Sequence, residues 1–156
     1  MVERMIPEKV KTVLQANGLT ALEFEPGSTP TSELAAARIG VAVGQIAKSM
    51  LLKGRNGRYY LAVCPGDRRI CSKKAKQLTA TKIRMARADE TEAVTGFRPG
   101  GVCPFGLEGV EILIDSGLSA YDLIYPAAGN DASGVPMTFA QLQRLTGARV
   151  VDIMLE

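Results

Sequence analysis

The stretch Ser49–Val63, SMLLKGRNGRYYLAV, constrains the fold more than any other part of the chain. Two apolar runs flank Asn56-Gly57, a pair that tolerates positive φ in a tight turn, so the segment predicts a β-hairpin. Helix and strand signals alternate around it. Met5, Ile6, Val10, Val13 and Leu14 share one helical face, Pro7 suits a first turn, and Gly18 is placed to end that helix. A short strand is predicted around Leu22 to Glu25, and a turn-rich connector, EPGSTPT, leads to a helix that begins near Thr31 or Ser32 and stops at Gly40. After the hairpin, SKKAKQLTA reads as a basic helix and KIRMA as a strand. DETEAVTG reads as a helix with Asp89 and Glu92 spaced for a capping box. VEILID alternates as a half-buried strand and YDLIYPA predicts another. Thr138 and Gln141 have capping-box spacing ahead of FAQLQRLTG, and ARVVDIM closes the chain as a strand. This interspersed order predicts an α+β fold: a mixed, mostly antiparallel sheet or open barrel flanked by helices. With 156 residues, 46% of them hydrophobic, the chain suits one core, and residues 1–156 are expected to form a single domain.

Composition removes whole classes of chemistry. The chain has no histidine, which excludes a Ser-His-Asp triad, a Cys-His pair, a His-ligated metal and His-mediated acid–base catalysis. Cys64, Cys71 and Cys103 match neither a disulfide framework nor a paired C-x-x-C site, so no metal and no cofactor are expected. Any catalysis must rest on lysine, carboxylates, backbone or the substrate itself. Nothing near MVERMIPEKV resembles the apolar centre of a signal peptide, and no apolar run approaches the roughly 20 residues that span a bilayer. The expected location is cytoplasmic, with no membrane contact.

The net charge of +3 is unevenly spread. Eleven Lys or Arg stand between Lys53 and Arg87 (Lys53, Arg55, Arg58, Arg68, Arg69, Lys73, Lys74, Lys76, Lys82, Arg84 and Arg87) against the single acid Asp67. That segment carries +10 and the rest of the chain −7. Such a run is either a solvated face or the footprint of a polyanion, since each neutralised phosphate releases condensed counterions. Contact with nucleic acid is the stronger of the two readings.

Two further features carry potential chemistry. Lys48, in QIAKSMLLK, stands at the mouth of the first hairpin strand, where an amine can bind a phosphate or carbonyl oxygen, or act as base or nucleophile if burial lowers its pKa. In TGFRPGGVCPFGL, Gly100 and Gly101 lie between Pro99 and Pro104, and adjacent glycines let the main chain approach a ligand or take positive φ. Either this is a plain turn between helix and strand, or its N–H groups form a cradle for the oxygen that becomes negative when an ester is attacked. Cys103, without a histidine and between apolar neighbours, suits a pocket wall better than a nucleophile.

TSELAAARIGVAVGQIAKSMLLK, TGFRPGGVCPFGL and the ending AAG…MTFAQLQRLTGARVVDI together resemble the YbaK/EbsC family, free-standing relatives of the editing domain inserted in bacterial prolyl-tRNA synthetases. The resemblance runs in order from about Thr31 to Ile153. It implies hydrolysis of the ester joining a wrong amino acid to the 3′ end of a tRNA, acting in trans, and a tRNA for proline is the expected substrate. By the same resemblance Lys48 holds the terminal adenosine and its ester, while Gly100 and Gly101 contact the carbonyl. Water attacks with help from the ribose hydroxyl. Thr31, Met50, Cys103, Pro104, Phe105, Ala128 and Gly129 are then candidates for the substrate pocket, and Lys53, Arg55, Arg58, Arg68, Arg69, Lys73, Lys74 and Lys76 for the tRNA contact. The expected partners are the acceptor end of a tRNA and a prolyl-tRNA synthetase. The chain departs from relatives at Ala127 and Ala128 in YPAAG, within NDASGVPM, and at Cys103, where serine is common. These changes touch the pocket that sorts amino acids. A non-catalytic adaptor of the same fold, and a hydrolase for small acylated nucleotides, are the rival readings.

Overall fold

The computed structural model describes residues 5–156; the start of the leader reading, Met1 to Arg4, lies outside the described residues. The hairpin forms as β2 (Ala47–Gly54) and β3 (Tyr59–Pro65), antiparallel with Leu51 opposite Leu61. Only Gly57 takes positive φ at the turn, at 85°. The turn closes through the Gly57 N–H to the Gly54 carbonyl (2.9 Å), and the Asn56 Oδ1 accepts from the Arg58 N–H (3.0 Å). The connection is thus longer than a two-residue turn, a type of loop that needs one left-handed residue rather than two.

Beside the hairpin lie β4 (Ile83–Met85), β5 (Glu111–Asp115) and β7 (Arg149–Val151), giving a five-stranded sheet in the order β4-β2-β3-β5-β7. The β2–β3 and β2–β4 pairs are antiparallel, while β3–β5 and β5–β7 are parallel. The sheet is mixed and open, with its pairings evenly divided, because parallel neighbours need long crossovers and the helices supply them. A separate antiparallel pair joins β1 (Leu22–Glu23) to β6 (Ser133–Gly134).

Alternation along the hairpin assigns each face its cover. Ala47, Leu51, Leu61 and Val63 pack with Val10 and Leu14 of α1 (Glu8–Ala16), Leu142 of α5 (Phe139–Thr146), and Phe97, Phe105, Leu118 and Ile124. Leu52, Tyr60, Ala62 and Cys64 pack on the other face with Ala75 of α3 (Ser72–Thr79), Val151, Ile153 and Met154. A smaller cluster joins Ala35 and Ala36 of α2 (Ser32–Ile39) to Ile46. Burial on both faces makes the hairpin the spine of the molecule.

Three local expectations are corrected. The first helix starts after Pro7, so Met5 and Ile6 precede it; Ile6 is still buried. A residue before proline avoids the helical region, which sets that boundary. The α4 helix (Ala88–Thr95) is capped at Arg87, whose N–H donates to Glu90 Oε1 (2.9 Å), not through Asp89 and Glu92. YDLIYPA is not a strand: Ile124 bridges Met137, Tyr125 bridges Ile46, and Pro126, which has no N–H, prevents a continuous ladder.

Candidate functional site

Five segments converge on one cleft of about 230 Å³. Its rim and walls come from Thr29–Glu33 at the start of α2, Ile46–Ser49 at the start of β2, Gly100 and Val102, then Tyr125 with Ala127, and Ser133. Local bonds hold these together. The Thr29 N–H donates to the Asp131 carbonyl (2.7 Å), the Ser133 N–H to Thr29 Oγ1 (3.2 Å), and the Ala128 N–H to Ser133 Oγ (3.0 Å). On the β2 side, the Ala47 N–H donates to the Tyr125 carbonyl (3.2 Å) and the Tyr125 N–H to the Gln45 carbonyl (2.8 Å). Thr31 caps α2 by accepting from the Leu34 N–H (3.2 Å).

Lys48 is exposed at the second residue of β2, paired across the hairpin with Cys64. Among the described residues no carboxylate lies within ion-pair range of it. Lys48 lines the cleft, and its charge there has no counter-charge among the described residues. Beside it, Ser49 Oγ is buried with no hydrogen-bond partner among the described residues. An unmet buried hydroxyl is a recognition group in waiting, since leaving it unpaired costs about 1–3 kcal/mol.

The glycine loop divides its labour. Gly100 sits at φ 94°, and a Cβ there would lie 3.3 Å from the Pro30 carbonyl oxygen. A Cβ on Gly101 would fall 2.7–2.9 Å from the Asn130 backbone, so Gly101 seals the seam between the two loops. The Gly101 N–H donates to the Arg98 carbonyl (3.0 Å), which corrects the expected donor pair: that group is already spent. Gly100 and Val102 line the cleft, and their N–H groups have no acceptor among the described residues.

The structure therefore brings Lys48, Gly100 and Thr31 to one cleft, and places the other candidates elsewhere. Cys103, Pro104, Phe105 and Ala128 are buried, and Cys103, Phe105 and Ala128 belong to the main core. Met50 packs against the core on the α3 side. Gly129 faces Phe97 and Pro7 on the far side of the loop wall. Burial pushes the Cys103 thiol up to about 12, with the Phe105 N–H and Lys9 opposing, and pushes Cys64 up as well, assisted by Asp115 and opposed by Lys48. Both thiols stay protonated at neutral pH and carry no nucleophile. Ala127, one of the departures expected to touch the pocket, does line the cleft, while sequence reasoning missed Thr29, Ser49, Val102, Tyr125 and Ser133. Only their chain proximity to Lys48, Gly100 and the YPAAG stretch pointed to them. Among the described residues no cluster of His, Cys, Asp or Glu could hold a metal, and no helix is long and apolar enough to cross a membrane.

The basic run is broken up by folding. Glu90 takes Arg84 through two bonds (2.8 and 2.9 Å), with Lys53 and Arg87 each at 3.7 Å. The Arg84 bonds, then the Arg87 N–H, hold the Glu90 carboxyl well below the usual carboxylate range. Lys74 is held by Asp152 (3.0 Å) and the Met154 carbonyl (2.9 Å), and Arg68 by the Leu155 carbonyl (2.8 Å). Arg55, Arg58, Arg69, Lys73, Lys76 and Lys82 are exposed with no ion pair among the described residues.

The model of the aminoacyl-tRNA editing domain matches residues 26–145, which include every residue lining the cleft. The Bacillus subtilis (strain 168) protein YwhH is 37% identical over 133 residues, covering 84% of each chain. The Enterococcus faecalis protein named "Putative Cys-tRNA(Pro)/Cys-tRNA(Cys) deacylase EbsC" is 26% identical over 125 residues, covering 79% of this chain and 76% of its own. A crystal structure of "a putative trans-editing enzyme for prolyl tRNA synthetase" superposes with a TM-score of 0.87 at 31% identity, over 97% of this chain and 100% of its own. With Lys48 and the glycine loop lining one cleft, and the editing-domain match spanning both, the chain belongs to the aminoacyl-tRNA editing domain family, in its YbaK/EbsC branch.

Proposed function

We propose that the protein is a trans-acting deacylase that hydrolyses the ester of a mischarged tRNA, with a tRNA for proline carrying a small amino acid as its substrate. One observation carries the reading: Lys48, Gly100 and Val102 line the same cleft, and the Gly100 and Val102 N–H groups have no acceptor among the described residues. The Lys48 ammonium holds the oxygens of the terminal adenosine and its ester. The carbonyl oxygen faces the Gly100 and Val102 N–H groups, which take up its charge as water adds to the carbonyl carbon. The C–O bond to the ribose then breaks, the ribose oxygen gains a proton, and free amino acid and tRNA leave. The neighbouring ribose hydroxyl assists the attacking water. An aminoacyl ester is already activated, so positioning and backbone donors suffice; one oxyanion donor contributes about 3–4 kcal/mol. This fits a chain without histidine. Small walls at Ala35, Ala47 and Ala127 suit a small amino acid.

A panel of aminoacyl-tRNAs tests the reading. Release of free amino acid from at least one small-residue ester, lost in Lys48→Ala, is the expected result. Salt-sensitive binding with no release from any ester would replace it with the adaptor reading.

A further inference from the structure

The cleft chemistry leaves the cations at the hairpin tip without a role. Lys53, Arg55, Lys82 and Arg84 line a depression of about 460 Å³ with Gly54, Gly57 and Ile83. The fold builds it: the Arg55 N–H donates to the Lys82 carbonyl (2.8 Å) and the Asn56 N–H to Thr81 Oγ1 (3.1 Å), fastening the turn to the entry of β4. One carboxylate, Glu90, bonds to Arg84 and pairs with Lys53, and it is shared with Arg87. Arg55 and Lys82 have no ion pair among the described residues. With Arg84 and Lys53 held by Glu90, Arg55 and Lys82 are left at this depression without a counter-charge, and an anion bound there supplies one.

Position narrows the anion. β2 runs from the Lys48 end to Gly54, and at about 3.3 Å per residue this puts the depression roughly 20 Å from the cleft. At about 3.4 Å per nucleotide along a stacked strand, that is roughly six steps. The sheet edge joins the two places. Gly54 pairs with Ile83 and Leu52 with Met85, and the Ala86 N–H donates to the Leu51 carbonyl (2.9 Å), so the chain leads from Lys82 past Arg84 and Arg87 toward the Lys48 end. The phosphate of the reacting nucleotide is too near the cleft to be the one bound at the tip.

We propose that the hairpin-tip depression is a phosphodiester-binding subsite, holding the backbone of the nucleic-acid strand several nucleotides from the ester that reacts at Lys48. The inference rests on the deacylase reading and adds a reach: a substrate without those nucleotides forgoes the contact. Arg55 and Lys82 grip the phosphate oxygens, while Glu90 keeps Arg84 and Lys53 in place.

The test is the double variant Arg55→Ala, Lys82→Ala, with Arg144→Ala on α5 as a charge control. Binding of unacylated tRNA for proline is followed by fluorescence anisotropy through a salt series, and hydrolysis is followed on full aminoacyl-tRNA and on a short aminoacyl-adenosine ester. The double variant is expected to bind tRNA about tenfold more weakly, with a salt slope smaller by about 1–2, and to cleave the short ester at the wild-type rate. The charge-keeping pair Arg55→Lys, Lys82→Arg is expected to retain most of the affinity. Unchanged tRNA affinity and slope, an equal loss in Arg144→Ala, or an equal loss on the short ester would each overturn the subsite. If the wild-type protein cleaves neither ester, the deacylase reading falls, and the binding series still decides the subsite.

Discussion

At the scale of single residues, exposure and spent hydrogen bonds separate chemistry from packing. Lys48 is exposed and unpaired, so Lys48→Ala is expected to leave thermal stability within about 0.5 kcal/mol of wild type while lowering kcat/KM on the preferred ester by about a hundredfold. Melting curves and steady-state hydrolysis on the same preparation check both halves. Gly101→Ala has the opposite profile: its Cβ must displace the Asn130 backbone, at a cost of about 1–3 kcal/mol, visible as a lower urea midpoint. Ser49→Ala removes a buried hydroxyl that nothing among the described residues satisfies, so stability is expected to hold or rise, while hydrolysis falls several-fold if the substrate is its partner. Lys48 and Gly100 were readable because their types are unusual at their positions. Ser49 and Val102 were not, since a serine in a strand and a valine in a loop carry no signal until the cleft surrounds them.

At the scale of elements, the strongest local signals held and the weaker ones yielded to neighbours. The hairpin, the α2 boundaries and the Thr138–Gln141 cap of α5 follow from residues adjacent in sequence. The strand expected at YDLIYPA fails because pairing depends on which edges are free, and Pro126 interrupts the one it meets. Glu90 joins elements: it caps α4, binds Arg84 of β4 and pairs with Lys53 of β2. Its folded pKa is depressed, so the stability it adds is present above its unfolded pKa and is lost as pH falls through the folded one. The stability gap between wild type and Glu90→Gln is expected to be constant near neutrality and to shrink below about pH 4.3, which urea titrations at a series of pH values will show.

At the scale of the whole molecule, Cys64 and Cys103 lie in the two large cores on opposite faces of the sheet, while Cys71 is half-buried. If residues 1–156 act as one cooperative unit, a thiol reagent is expected to label Cys71 first. Cys64 and Cys103 then follow together, at the rate of global opening. Separate rates for the two buried thiols would show independent halves. The sequence by itself determined the mixed class of fold, the spine hairpin, the exclusion of histidine chemistry and the candidacy of Lys48 and Gly100, because these depend on residue type, periodicity and near neighbours. Tertiary structure alone decided which pocket candidates face the cleft, which basic side chains are already paired, and which loop N–H groups remain to bind. Those outcomes turn on contacts between segments as far apart as Thr29 and Ser133, whose meeting no local pattern encodes.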